Sequence, residues 1–181
     1  MASEKKKQKP RLKPPSERAE HDTYETPSWC VDMLLKIIPI REDWKYLEPC
    51  RASGRIWNRM PIGSAWGEIR EGVDYLKTDY PHVDCVITNP PFNLAVDFVE
   101  KAHKDADVSI MLMRLGFMGA IKRFDFWKAH KPTAIITMSK RPSFTDDGHT
   151  DGTDYCWYVF DRQNRLGLKE PFYWITDEEV A

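Results

Sequence analysis

Residues 83–92, Val-Asp-Cys-Val-Ile-Thr-Asn-Pro-Pro-Phe, constrain the fold more than any other stretch of the chain. A short apolar run of this kind reads as a buried strand, and here it stops abruptly at Asn89-Pro90-Pro91-Phe92. Proline fixes its own φ, lacks an N–H and pushes the preceding residue into extended backbone. Two in succession therefore hold Asn89 in one shape just past the strand. Open α/β sheets bind ligands at that place, outside the carboxyl ends of their strands. The turn presents an amide side chain, backbone carbonyls that no ladder uses, and an aromatic face. That set suits a planar group carrying an NH2. Taken without its neighbours, the same stretch would be only a strand terminator followed by a core phenylalanine.

The neighbours extend the pattern. Thr26-Pro27-Ser28 followed by Trp29, Val31, Met33, Leu34, Ile37 and Ile38 predicts a helix over 28–38. Strands are expected over 45–49, 64–69, 83–88, 108–113, 134–138, 155–160 and 172–175. A short helix is expected over 55–60, and longer ones over 94–103 and 118–129. Residues 141–154 read as a long polar loop. Strands alternating with helices imply an α/β fold, a largely parallel sheet with helices on both faces.

The chain has 181 residues and a formal net charge of −1, so one domain is expected and a general polycation is excluded. The charge is uneven. Residues 1–21 carry Lys5, Lys6, Lys7, Lys9, Arg11, Lys13 and Arg18 without apolar periodicity, which reads as a disordered basic arm ahead of a single domain over 22–181. No apolar run is long enough for a membrane span, and the basic N-terminus lacks the apolar segment of a signal peptide. Four scattered cysteines, with no Cys-x-x-Cys, indicate neither a zinc site nor a disulfide framework, as in a reduced, cytoplasmic protein.

Several turns along this sheet carry residues fit to touch a ligand: Tyr24-Glu25-Thr26-Pro27, then Glu48-Pro49-Cys50 with Ser53-Gly54, then Glu68, Asp74-Tyr75 and Asn89–Phe92. With these in place, the sequence resembles the S-adenosylmethionine-dependent amino-group methyltransferases. Its greatest similarity is to small, stand-alone DNA N6-adenine methyltransferases of the kind phages often encode. The resemblance spans about Tyr24 to Asp161. It implies a Rossmann-like class I methyltransferase fold, mostly parallel with an antiparallel strand near the C-terminus. It also implies S-adenosylmethionine as cofactor, DNA as partner and, for a phage-like enzyme, a restriction-modification context.

Residue by residue, the resemblance places the cofactor against Tyr24, Thr26, Pro27, Glu48, Pro49, Cys50, Ser53, Gly54, Glu68, Asp74, Tyr75 and Asn89. Glu68 is expected at the ribose hydroxyls and Asp74 at the adenine amino group. The family's cofactor loop usually reads Gly-x-Gly, and Ala52 stands where the first glycine is expected. Because a Cβ resists positive φ, this loop is expected to be reshaped or to hold the cofactor less closely. Asn89, Pro90, Pro91 and Phe92 form the catalytic set. Asn89 Oδ1 and the Pro90 carbonyl would accept both N–H bonds of an exocyclic amine, freeing its lone pair for in-line attack, while Phe92 stacks on a flipped base. Arg141 and Phe144 are expected to edge the base pocket.

Other residues receive plainer readings. Asp79 and Asp84 are expected at the surface, and His149, Asp151 and Asp154 in a solvated turn rather than at a metal. Lys122, Arg123 and Lys140 are candidate nucleic-acid contacts, with Phe117 interleaved among them and the basic arm as a further candidate. The chain lacks a sizeable recognition insertion, so its sequence discrimination is expected to be short or supplied by a second copy in a homodimer. Two alternatives stay open: a methyltransferase acting on RNA bases or a protein glutamine amide, and a binding module with this fold but no turnover.

Overall fold

The computed structural model describes residues 24–145, 148–150 and 152–176. The basic arm expected over 1–21 lies outside the described residues.

Seven strands form one sheet: β1 (Tyr46–Glu48), β2 (Ala65–Trp66), β3 (Val83–Thr88), β4 (Ala106–Arg114), β5 (Ala134–Met138), β6 (Tyr155–Asp161) and β7 (Phe172–Ile175). Their order across the sheet is β2-β1-β3-β4-β6-β5-β7. All pairings are parallel except those of β6, which runs antiparallel to both β4 and β5. The expected antiparallel strand near the C-terminus is therefore β6. Register places Thr88 of β3 beside Met111, and Arg114 of β4 beside Tyr155. The carboxyl ends of the parallel strands and the start of β6 thus share one edge of the sheet.

Alternation along the strands builds two cores, one on each face. Cys85, Ile87, Val108, Ile110, Leu112, Tyr155, Trp157 and Val159 point to one face, where helix α1 (Ser28–Ile37) contributes Cys30, Val31, Met33 and Leu34. Val86, Met111, Met113, Cys156, Tyr158 and Phe160 point to the other. There helix α2 (Ala95–Asp105) contributes Ala95, Phe98, Val99 and Ala102. Burying each Leu- or Phe-sized side chain contributes roughly 1.5–3 kcal/mol, so the period-two pattern fixes which face each strand shows to which helix. Trp157 is fully buried, and its indole N–H donates to the Cys30 carbonyl at 3.2 Å, tying the sheet to α1.

Four sequence expectations change. The strand expected over 64–69 is only Ala65–Trp66, and Ile69–Glu71 form a 3₁₀ turn capped by Glu68. Residues 118–129 do not form one helix. They break into 3₁₀ turns at Leu115–Gly119 and Ile121–Arg123, then a short helix α3 (Phe124–Ala129). Gly116 and Gly119 are poor helix formers, and extended Ala120 separates the turns. The short helix over 55–60 is a single 3₁₀ turn, Trp57–Arg59. Asp84 is not a bare surface acid: it accepts from the Lys45 N–H at 2.8 Å and from Arg165 at 2.6 Å, while Arg165 also reaches Asp107 at 2.6 Å. That clamp joins β3 and β4 to the turn after β6. All four cysteines are free, and no helix of the described residues is long and apolar enough to cross a membrane.

Candidate active site

β3 delivers Asn89 to the carboxyl edge of the sheet, where Pro90 and Pro91 stop the ladder. Asn89 is 9% exposed. Its Nδ2 donates to the Tyr24 carbonyl at 3.1 Å, a contact across 65 residues of sequence. This donation fixes the amide orientation and leaves Oδ1 as the acceptor. Oδ1 is buried and has no hydrogen-bond partner among the described residues. A buried acceptor without a partner costs about 1–3 kcal/mol, so an incoming N–H donor recovers that cost. Pro90 is buried beside it and Pro91 is exposed.

The residues expected at the cofactor assemble in part. Tyr24, Thr26, Glu48 and Cys50 line one cleft together with Glu25, Arg51, Ala52, Arg55 and Ile56. Glu25 straps the 24–26 segment over it, accepting from the Ser53 hydroxyl and lying 3.9 Å from Arg55. In this closed arrangement only about 10 Å³ is left inside. Glu48, at the end of β1, is 2% exposed, and its Oε2 has no partner among the described residues. Burial pushes its carboxyl up to about 9, against smaller opposing effects of the Trp57 N–H and Arg51.

Glu68, two residues past β2, staples the loop from the other side. Its Oε2 accepts from the Ala52 N–H at 2.7 Å, and its Oε1 from the Arg70 N–H at 3.1 Å and from Arg70 Nε at 3.2 Å. Burial pushes this carboxyl up, but the bonds from Arg70 and Ala52 outweigh it and hold it below its ordinary value. Gly67 closes the joint: its N–H donates to the Glu48 carbonyl, and its own carbonyl accepts from Arg51. A Cβ at Gly67 would stand 2.8 Å from the Tyr80 hydroxyl and 3.0 Å from the Pro49 carbonyl.

Ala52 corrects an expectation. Its φ is +47°, and Gly54 follows at +84°. The loop therefore takes a glycine-like shape at Ala52 in spite of the Cβ, held there by Glu68.

Other site expectations fall differently. Tyr75 is a core residue, 2% exposed and packed on Phe98 at 5.1 Å, so its ring offers no face to a ligand. Asp74 lies outside the cleft; its side chain pairs with Lys77 at 2.9 Å and accepts from the Leu76 N–H. Pro27 is buried at the start of α1. Phe144 does not face Phe92 across a slot. It is 6% exposed and meets Phe92 and Tyr155 edge-on, at 6.2 and 4.8 Å. Phe92 itself is covered by Tyr24 at 5.5 Å and by the Arg114 guanidinium at 5.0 Å. A base stacked on Phe92 has to displace Tyr24 or Arg114. Phe117 packs inward on Trp127 at 5.5 Å, beneath Arg123.

Lys140 and Arg141 border a second, broad cleft of about 1180 Å³ between the start of α1 and the loop after β5, which shares Arg55 with the first. Lys140 stands over the Trp29 ring at 5.5 Å, and Arg141 pairs with Asp154 at 2.8 Å. Lys122 is exposed. Sequence reasoning missed Arg51 and Arg55, which lie next to residues it had singled out. Arg51 also stacks on Trp66 at 3.9 Å and pairs with Glu71.

No family model matches the chain, and no curated protein matches it. Solved structures do. A putative class I S-adenosylmethionine-dependent methyltransferase from Listeria monocytogenes matches with a TM-score of 0.60 at 12% identity, over 89% of this chain and 68% of that one. The type I restriction-modification methyltransferase subunit of Streptococcus thermophilus gives 0.58 at 12% identity, over 87% of this chain and 48% of its own length. A dimethyladenosine transferase from Plasmodium falciparum gives 0.58 at 12% identity, over 81% and 65%. The seven-stranded mixed sheet with helices on both faces is thus the fold of the class I S-adenosylmethionine-dependent methyltransferases.

Proposed function

We propose that this chain is a methyltransferase that uses S-adenosylmethionine and acts on the exocyclic N6 of adenine in DNA. The observation that carries this reading is Asn89 Oδ1: a buried acceptor without a partner, oriented by the Tyr24 carbonyl, at the carboxyl edge of a class I sheet and followed by Pro-Pro-Phe. That geometry suits an sp² carbon bearing NH2. Asn89 Oδ1 and the Pro90 carbonyl accept the two N–H bonds of the amine. With both protons held, its lone pair is drawn out of the ring and becomes nucleophilic. The carbonyl dipoles then stabilise the positive charge that develops on nitrogen, until one N–H proton is lost to water.

The cleft fits the proposed cofactor chemically. Glu48 Oε2, buried and without a partner, suits the ammonium of a methionine group, and the glycine-like loop at Ala52–Gly54 brings backbone close to it. When bound, S-adenosylmethionine supplies an electrophilic methyl group. Entry requires Glu25 to release Ser53 and Arg55, since the strapped cleft is too small. In this reading the ribose hydroxyls fall to Glu68, whose oxygens they share with the Ala52 N–H and Arg70. The Asn-Pro-Pro-Phe motif suits any planar NH2; DNA as acceptor draws support from the similarity to a restriction-modification methyltransferase subunit.

The test is tritium transfer from labelled cofactor to a panel of duplex DNA, ribosomal RNA and glutamine peptide. Label in adenine of DNA is expected, with a loss on the order of 10²–10³ for Asn89→Ala. Label confined to RNA or peptide overturns the acceptor, and absence of cofactor binding by calorimetry overturns the activity.

A further inference from the structure

The segment after β4 is exposed with the wrong side out. Leu115, Met118, Ile121 and Phe124 are 37%, 42%, 89% and 60% exposed. They recur at every third residue, the period of the 3₁₀ turns that hold most of them. The half-buried residues follow the same period one step out of phase, at Arg114, Phe117, Ala120, Arg123 and Phe126. The result is a ridge of large apolar side chains facing solvent.

This ridge is held firmly from below. The Leu115 N–H donates to the Asp154 carbonyl at 2.9 Å, and the Tyr158 hydroxyl reaches the Arg114 and Leu115 carbonyls at 3.1 and 3.2 Å. Arg123 Nε donates to the Phe117 carbonyl at 2.7 Å, and Trp127 stacks on Tyr158 at 5.6 Å.

Charge indicates what covers it. From Arg114 through α3 the ridge and the helix after it carry Arg114, Lys122, Arg123 and Lys128, and Asp125 is the lone acid. The whole chain is −1, so this segment is positively charged on a nearly neutral molecule. A second copy packed ridge to ridge would bring Lys122 and Arg123 against their own counterparts. A polyanion with apolar faces between its charges meets no such repulsion, and stacked bases flanked by phosphates are that. The ridge also begins at Arg114, whose guanidinium lies over Phe92.

We infer that Leu115, Met118, Ile121 and Phe124 form a wedge that enters the base stack of a nucleic-acid duplex next to the target nucleotide, with Lys122 on the phosphates. The acceptor is then a paired strand that the protein itself opens. Proteins that kink duplexes insert Leu, Ile, Met or Phe between base steps in this way. This rests on the function proposed above and assigns the form of its substrate.

The test compares the full chain with its Ile121→Ser/Phe124→Ser variant. Both changes fall on exposed positions, and thermal melting checks the fold. Methylation is measured on linear plasmid and on the same DNA heat-denatured. Unstacking is read separately as permanganate reactivity of thymines on protein binding, which needs no methyl transfer. A loss of at least tenfold on duplex, with denatured DNA methylated within about twofold of wild type, is expected, together with loss of permanganate reactivity. Equal loss on both forms, no loss on duplex, or a change of molar mass in light scattering overturns the wedge, the last by making the ridge an interface between copies. Ridge-dependent permanganate reactivity without methylation of any acceptor supports the wedge and removes the activity proposed above.

Discussion

Two residues hold conformations or charge states that their chemistry resists. Ala52 occupies left-handed backbone at φ +47°, where an L-residue with a Cβ costs about 1–2 kcal/mol. Ala52→Gly removes that strain and is expected to raise stability by about 1 kcal/mol, read as a higher denaturation midpoint at unchanged m-value. A fall in stability would mean that the loop gains more from the alanine's reduced unfolded-state freedom than it loses in strain. Glu48 is held up to about 9 by burial. Between its ordinary value and about 9 the folded state keeps a proton that the unfolded chain has released. Stability is therefore fully present at low pH and falls as pH rises through that window. Glu48→Gln abolishes this decline. The variant's advantage in melting temperature is expected to be small near pH 5 and to widen toward pH 9, and a gap independent of pH would contradict it.

At the level of elements, the joint between β1 and β2 depends on an absent side chain. Gly67 links the Glu48 carbonyl to the Arg51 N–H, and a Cβ there would press on the Pro49 backbone, which cannot swing aside as a side-chain tip can. Gly67→Ala is expected to cost about 1–3 kcal/mol by overpacking and to weaken cofactor binding, because Glu68 and Ala52 move with this joint. Chemical denaturation and calorimetry read the two effects. The longer strands were legible because each declares its face over four or more residues: β3, β5 and β7 begin and end where their apolar runs do. The stretch over 115–129 was not. Its apolar residues suit a helix by composition, but Gly116 and Gly119 weaken that helix and Phe117 finds Trp127 and Arg123 instead.

For the whole molecule, a net charge of −1 conceals an uneven distribution along the chain. The segment from Arg114 through α3 has four cations and one acid, while acids hold the amino ends of β3 and β4 around Arg165. Affinity for nucleic acid should therefore fall steeply with salt in spite of the neutral total. Lys122→Ala is expected to weaken duplex binding alike across sequences and to reduce the slope of log K against log salt by about 1. An unchanged slope in fluorescence anisotropy would place Lys122 off the phosphates.

By itself the sequence determined which segments become strands, where β3 stops, and that an amide with two prolines behind it stands at the sheet's carboxyl edge. These are short-range matters: alternation, proline's fixed φ and turn chemistry act within a few residues. Only the tertiary structure decided that Asn89 Oδ1 is the open acceptor, because the donor contact that orients the amide goes to Tyr24, 65 positions away. It also turned Tyr75 and Phe144 into packing residues and let Glu68 hold Ala52 in a glycine's conformation. In each case a partner distant in sequence supplies the free energy that settles the side chain, and no local pattern encodes that partner.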